Sequence, residues 1–238
     1  MWVYGRHAVE EILRSQLQVG KLLLVEGINN DDVRDLINLA KRRGCTLKSA
    51  ARKEMDRMTD ANHQGVALQL LGIPVWDLKN YLSTIDLNKK PFLCLLDEIQ
   101  DPQNLGAIIR SAVCFGCDAI VLPKWRSASV TDSVMRASSG ACAHIPIIEI
   151  ANLNVAIERL KEKGFFVYGA DVSAEKSLAK IEFSFPLALV LGNEHRGIKP
   201  LLKKACDELL AIPQRSALDS LNVSNAATVF FYEISKQR

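Results

Sequence analysis

Pro91-Phe92-Leu93-Cys94-Leu95-Leu96-Asp97-Glu98-Ile99-Gln100-Asp101-Pro102-Gln103-Asn104-Leu105-Gly106-Ala107-Ile108-Ile109-Arg110 is the stretch that decides the fold class. The unbroken apolar run Phe92–Leu96 has the pattern of a strand buried on both faces. Acids follow it at once, then a proline suited to a first helical turn, then an apolar helical pattern over about Gln103–Phe115. The same rhythm recurs downstream. Ala119–Leu122, His144–Ile150, Phe165–Gly169, Leu187–Leu191 and Leu209–Ile212 read as strands, and Val130–Ser138, Leu153–Lys163 and Asn222–Gln237 as helices. Strands separated by helices imply an α/β fold, a parallel sheet with helices on both faces.

Upstream the pattern is smaller in scale. Gly5–Ser15 carries Ala8, Val9, Ile12 and Leu13 as a helical stripe, and Lys21–Val25 is a short strand. Asp31–Arg43 opens with acids and closes with Lys41-Arg42-Arg43 before Gly44, which suits the helix dipole and a glycine stop. Gln64–Leu71 reads as a further strand. Pro74, the polar stretch 77–83 and Asn88-Lys89-Lys90-Pro91 place a linker over 73–90, with partial helix around Trp76–Leu82. The chain thus divides into a small α/β domain (1–72), a linker (73–90) and a larger α/β domain (91–238).

Bulk properties exclude more than they assign. The 238 residues are 48% hydrophobic and 24% charged, ordinary for a globular chain with a real core. The apolar runs are too short to span a bilayer, and the N-terminus lacks the apolar core of a secretory signal, so a cytoplasmic setting with no membrane partner is expected. A formal charge of +3 is compatible with nucleic acid but does not demand it. Among six cysteines, Cys114 and Cys117 form a CxxC with no second ligand pair near it; it reads as free thiols rather than as a metal site, which would need four ligands.

Ligands of such sheets bind beyond the carboxyl ends of the strands, which directs attention to three loops. In the first, Gly106 and Arg110 share a face near a helix N-terminus, where a bare backbone beside a guanidinium suits a phosphate or ribose. The equal alternative is that Gly106 packs against a strand and Arg110 pairs with a surface acid. The second, Leu191-Gly192-Asn193-Glu194-His195-Arg196-Gly197-Ile198, has two glycines that permit close approach of a flat ligand, or simply make a turn. It is neither a dinucleotide fingerprint nor a P-loop. The third runs from Ile212-Pro213-Gln214-Arg215-Ser216 to Ser220-Leu221-Asn222-Val223-Ser224. Ser220, Asn222 and Ser224 are well suited to cap a helix, and Ser220 and Asn222 also offer polar groups at the mouth of the sheet.

Taken together, Asn104-x-Gly106-x-x-x-Arg110, Gly192-x-Glu194-x-x-Gly197 and Ile212-Pro213 followed by Ser220-Leu221-Asn222-Val223-Ser224 resemble the SpoU/TrmH branch of the SPOUT RNA methyltransferases. Tyr4-Gly5-Arg6-His7-Ala8-Val9 and Asn62-His63-Gln64-Gly65-Val66-Ala67 look like the ends of the small L30e-like substrate-binding domain of members that methylate a guanosine ribose in 23S ribosomal RNA. The resemblance implies a C-terminal trefoil knot and S-adenosylmethionine as cofactor, held around Gly192, Asn193, Gly197, Ile212, Pro213 and Leu221. It implies methylation of a ribose 2′-hydroxyl, and a homodimer formed through the catalytic domains with the last helix contributing. Arg110 would stand at the hydroxyl, with Asn104 positioning it or the ribose, and Glu194, Ser220 and Asn222 completing the site. Because an arginine side chain is ordinarily always protonated, Arg110 would act either as a base perturbed by a bound phosphate or by electrostatic orientation. Gln214 and Ser216 depart from the family, which often has Met and Gly there.

Candidate RNA contacts are Arg6, Gly106, Lys41-Arg42-Arg43, Arg52-Lys53, Lys89-Lys90 and, foremost, Lys124-Trp125-Arg126, where an aromatic stands between two cations. Residues 1–72 carry eleven basic and nine acidic groups, so shape must contribute to any RNA recognition there. A transfer-RNA ribose methylase and a non-catalytic RNA-binding or ribosome assembly factor are the competing readings.

Overall fold

The computed structural model describes residues 1–60, 62–125, 127–194, 196–214 and 220–238. Its first part contains β1 (Trp2–Tyr4), α1 (Arg6–Arg14), β2 (Val19–Val25), α2 (Asn30–Arg42), β3 (Thr46–Ala50), α3 (Arg52–Met58) and β4 (Val66–Leu70). Next come β5 (Val75–Trp76), α4 (Leu78–Thr84), β6 (Phe92–Leu96), α5 (Pro102–Cys114), β7 (Ala119–Pro123), α6 (Asp132–Ala137), β8 (Ile147–Ile150), α7 (Leu153–Glu162) and β9 (Phe166–Ala170). The last are β10 (Lys176–Ser177), β11 (Leu187–Leu191), α8 (Pro200–Ala205), β12 (Glu208–Ala211) and α9 (Val223–Ser235).

The first sheet has the order β1-β4-β2-β3, with β4 antiparallel to both neighbours and β2 parallel to β3. The stripe Ala8, Val9, Ile12 and Leu13 is buried, as its helical spacing predicts. Asn29 caps α2 by accepting from the Asp31 N–H at 3.1 Å. Arg43 turns inward to the end of α1. Its guanidinium donates to the carbonyls of Leu13 (2.9 Å), Leu17 (2.6 Å) and Ser15, groups left without helical partners where α1 ends.

The second sheet has eight strands in the order β10-β12-β9-β11-β6-β7-β8-β5, and every adjacent pair is parallel. All residues of the neighbouring strands β6 and β11 are buried. Phe92, Cys94 and Leu96 pack with Ile108, Ile109, Val134, Phe230 and Phe231, placing α5, α6 and α9 on one face. Leu93 and Leu95 pack with Leu78, Leu82, Ile157, Leu160 and Leu202, placing α4, α7 and α8 on the other. The 73–90 stretch is part of this layer, since β5 pairs with β8 and the apolar side of α4 is buried. β8 starts at Ile147 rather than at His144, because residues 141–143 form a 3₁₀ turn and Pro146, lacking an N–H, precedes the strand.

The two sheets are joined by the turn after α6. Gly140 has φ +86°, and a Cβ there would stand 2.7 Å from Glu11 Cβ and 3.1 Å from the Ala8 carbonyl oxygen on α1. His144 Nε2 and the Glu11 carboxylate lie 3.0 Å apart across the same seam. Among the described residues no helix is long and apolar enough to cross a membrane.

Candidate active site

Three loops at the carboxyl ends of the parallel strands meet through one side chain. Asp101 caps α5 by accepting from the Gln103 N–H at 3.0 Å, with Pro102 in the first turn. That start presents Asn104. Its amide nitrogen donates to Glu194 Oε1 at 2.8 Å, and its oxygen accepts from the Asn222 amide at 3.0 Å. Asn222 in turn caps α9, accepting from the N–H (2.9 Å) and the hydroxyl (2.6 Å) of Ser224. Glu194 follows β11 and Asn222 follows β12, so the chain Glu194–Asn104–Asn222 ties the three loops together. Asn104 is thus hydrogen-bonded to both Glu194 and Asn222.

The loop after β11 is itself a closed turn. The N–H of Asn193 donates to the Gly197 carbonyl (3.1 Å) and that of Gly197 to the Asn193 carbonyl (2.9 Å). A Cβ on Gly192 would lie 2.0 Å from the carbonyl carbon of Gly197, so this glycine is demanded by the loop's own backbone. The Asn193 side chain donates to the Glu98 carbonyl at 2.9 Å, joining this loop to the one after β6.

Beyond the ends of β9 and β11 lies a cavity of about 280 Å³, lined by Gly192, Asn193, Glu194, Gly197, Ser220 and Leu221 together with Asp171 and Lys203. A smaller one of about 70 Å³ shares Asp171 and Leu221 with it and adds Ile212 and Gln214. Pro213 lines neither. Asp171 and Lys203 form an ion pair in its wall, and Glu194 and Arg196 add two further charged groups. Burial would raise the Asp171 carboxyl, but hydrogen bonds from the Lys203 ammonium and from Ser173 hold it below the usual carboxylate range. Asp171 carries no motif that marked it in the sequence.

Arg110 is placed by a residue that sequence reasoning missed. Its Nη1 donates to Ser139 Oγ at 3.1 Å. Ser139 sits at φ +53°, an uncommon conformation for a non-glycine residue, in the Ser138-Ser139-Gly140 turn that touches α1. Gly106 serves this same contact rather than a ligand. It is buried, and a Cβ there would lie 2.3 Å from Ala137 Cβ and 2.8 Å from the Ser138 nitrogen. Its bare backbone therefore lets α6 cross close over α5, and the expectation that it admits RNA is corrected.

Of the candidate RNA contacts, Arg6 donates its N–H to the Gln64 side chain at 2.8 Å and lies 3.5 Å from Asp32. Lys124 Nζ stands 5.7 Å from the Trp125 ring centroid. Arg126, Arg215 and Ser216 lie outside the described residues. Cys94 and Cys142 are buried in the core. Cys117 is buried as well, with its thiol pushed up by desolvation, whereas Cys114 is exposed.

Comparison with known proteins matches residues 91–232 to the SpoU rRNA Methylase family and residues 2–71 to a family described as RNA 2′-O ribose methyltransferase substrate binding. A TrmH family tRNA/rRNA methyltransferase of Bacillus subtilis, YacO, is 38% identical over 238 residues, covering 100% of this chain and 96% of the relative. The SpoU methyltransferase AviRb from Streptomyces viridochromogenes superposes with TM-score 0.84 at 22% identity, over 100% of this chain and 89% of that one. An AdoMet-bound rRNA methyltransferase from Sinorhizobium meliloti superposes with TM-score 0.83 at 24% identity, over 99% and 86%.

Proposed function

Because the chain belongs to the SpoU rRNA methylase family, we propose that it transfers a methyl group from S-adenosylmethionine to the 2′-hydroxyl of a guanosine ribose in 23S ribosomal RNA. The observation that carries this reading is the hydrogen-bonded chain Glu194–Asn104–Asn222, which gathers three loops beside the cavity at the ends of β9 and β11. The resemblance to 2′-O-methyltransferases rests on the same three loops. The match of residues 2–71 to the substrate-binding family supports the smaller sheet as the RNA-binding domain. Relatives named as tRNA/rRNA methyltransferases keep transfer RNA as the second reading.

The cavity suits a cofactor held by backbone. Gly192, Asn193, Gly197 and Leu221 would line its bed, Ile212 the smaller adjoining cavity, and Asp171 and Glu194 its anionic groups. The cofactor, when bound, supplies an electrophilic methyl group on a sulfonium. The knot implied by the resemblance would wrap this bed.

Arg110 works on the ribose. A guanidinium offers five N–H donors, and Ser139 takes one of them. The remaining fork is exposed and orients the 2′-oxygen and the adjoining phosphate by charge, which favours electrostatic orientation over proton abstraction. Glu194 and Asn222 stay fixed by Asn104, and Ser220 stands at the cavity wall toward the substrate. Two copies pair through the catalytic domains. Val229 and Tyr232 on α9, both exposed, support that face as the seam.

The test is transfer of tritiated methyl from S-adenosylmethionine to unmodified ribosomal RNA by the wild-type protein and by Arg110→Ala. Loss of about 10²-fold or more in kcat with unchanged cofactor binding is expected, the usual cost of removing a donor aimed at developing charge. Near wild-type transfer by the variant overturns the assignment.

A further inference from the structure

A further cavity among the described residues has no part in the site described above. It measures about 660 Å³ and lies beyond the ends of β6, β7 and β8, lined among others by Asp97, Trp125, Asn152, Asn154, Lys199 and Leu201. The order of the sheet turns between β6 and β11: β6, β7 and β8 run toward one edge, while β11, β9 and β12 run toward the other. Cavities at such a switch point are where parallel sheets take nucleotides. The 196–199 segment lies between the two cavities, with Gly197 on the cofactor side and Lys199 on the other.

The chemistry of the walls defines an occupant. Trp125 is 61% exposed and Leu201 70% exposed, two large apolar side chains at one opening. Asp97, by contrast, is only 2% exposed. Lys199 Nζ lies 3.3 Å from the Asp97 carboxylate and 2.7 Å from that of Glu98. Burial lowers the Lys199 ammonium, but the Glu98 and Asp97 carboxylates more than offset this and hold it above its ordinary value. The lysine is therefore charged and already paired, and the carboxylates beside it repel phosphate. A neutral, flat group with N–H donors at its edge fits where a phosphate does not. The Asn152 oxygen is spent in capping α7, accepting from the Asn154 N–H at 2.9 Å, which leaves its amide nitrogen to donate. At the rim, Lys124 stands beside Trp125.

We propose that this cavity is a nucleobase subsite: it takes an unpaired base of the RNA substrate, stacked on Trp125, with its N–H edge toward the Glu98 carboxylate and its phosphates left outside near Lys124. Single-stranded RNA bases splayed out of their stack are commonly held this way, on aromatic faces. The subsite rests on the reading of the chain as an RNA methyltransferase, and it would grip a nucleotide neighbouring the one methylated.

The experiment uses the full chain with Trp2→Phe and Trp76→Phe, which leaves Trp125 as the single tryptophan. The probe is a ten-nucleotide single-stranded RNA, titrated beside the same ribose-phosphate backbone without bases, while fluorescence is followed. Stacking predicts saturable quenching by the RNA, little quenching by the abasic strand, and weakening of about tenfold in the RNA's Kd when Leu201→Arg fills the opening. In the otherwise native protein, Trp125→Ala is expected to raise KM for ribosomal RNA about tenfold with kcat and S-adenosylmethionine Kd unchanged. Equal quenching by the two strands overturns the proposal, as does no quenching in a protein that still methylates RNA. A Leu201→Arg chain that turns from dimer to monomer in sedimentation overturns it as well, because this face would then be covered by a second copy. Base-dependent quenching without any methyl transfer would leave the subsite standing and remove the catalytic reading instead.

Discussion

Asn104 spends both ends of its amide on partners from other loops, Glu194 and Asn222. Replacing the nitrogen with oxygen, as in Asn104→Asp, would set a carboxylate 2.8 Å from Glu194 and turn a donor–acceptor contact into repulsion. The expected result is a fall of about 10²-fold in methyl transfer, with weaker S-adenosylmethionine binding by calorimetry because the loop after β11 keeps only its Asn193–Glu98 tether. Ser139→Ala tests the arginine's support. One hydrogen bond to a charged group is at stake, so a loss of about tenfold in kcat is expected, with cofactor Kd unchanged. Ser139→Gly relaxes the backbone strain, keeps the fold and should show the same loss. Residue types at the site were legible in the sequence because the motifs follow strand ends. Their partners were not: Asn104 and Asn222 are 118 positions apart, and no local pattern encodes that contact. Gly106 showed the limit most clearly. A small residue beside an arginine has the same appearance whether it admits a phosphate or a second helix, and only the position of Ala137 decides between them.

At the scale of elements, what could be read was what is buried on both faces. β6, β7 and β11 are nearly continuous apolar runs, and helices α1, α5, α7 and α9 are long enough for their periodicity to show. β3 leaves three of its five residues exposed, α3 buries a single residue, and β5 and β10 are two residues each, so none carries a readable alternation. Their existence is dictated by the neighbours they pair with. The loop after β11 carries the sharpest prediction at this scale. Gly192→Ala places a methyl group 2.0 Å from backbone, which no rotamer change relieves. A destabilisation of about 3 kcal/mol or more is expected in urea unfolding, together with loss of S-adenosylmethionine binding.

Two sheets, a seam at residues 137–144 and an exposed apolar strip on α9 define the whole molecule. The same turn carries Ser139 and Gly140, so the seat of the small sheet and the attitude of Arg110 are set within two adjacent residues. If Arg110 acts as proposed, the docking of the small sheet bears on methyl transfer as well as on stability. Pairing through α9 is the matching expectation between molecules. Val229→Asp puts a charge on the strip without touching the core, and sedimentation is expected to report dimers for the native chain and monomers for the variant. Methyl transfer to a ribose with Arg110 at the hydroxyl is decided by labelling unmodified 23S ribosomal RNA with tritiated S-adenosylmethionine and locating the label by nuclease digestion. Label is expected on the 2′-oxygen of a guanosine, reduced about 10²-fold or more by Arg110→Ala; label on a base, or full labelling by that variant, overturns the assignment.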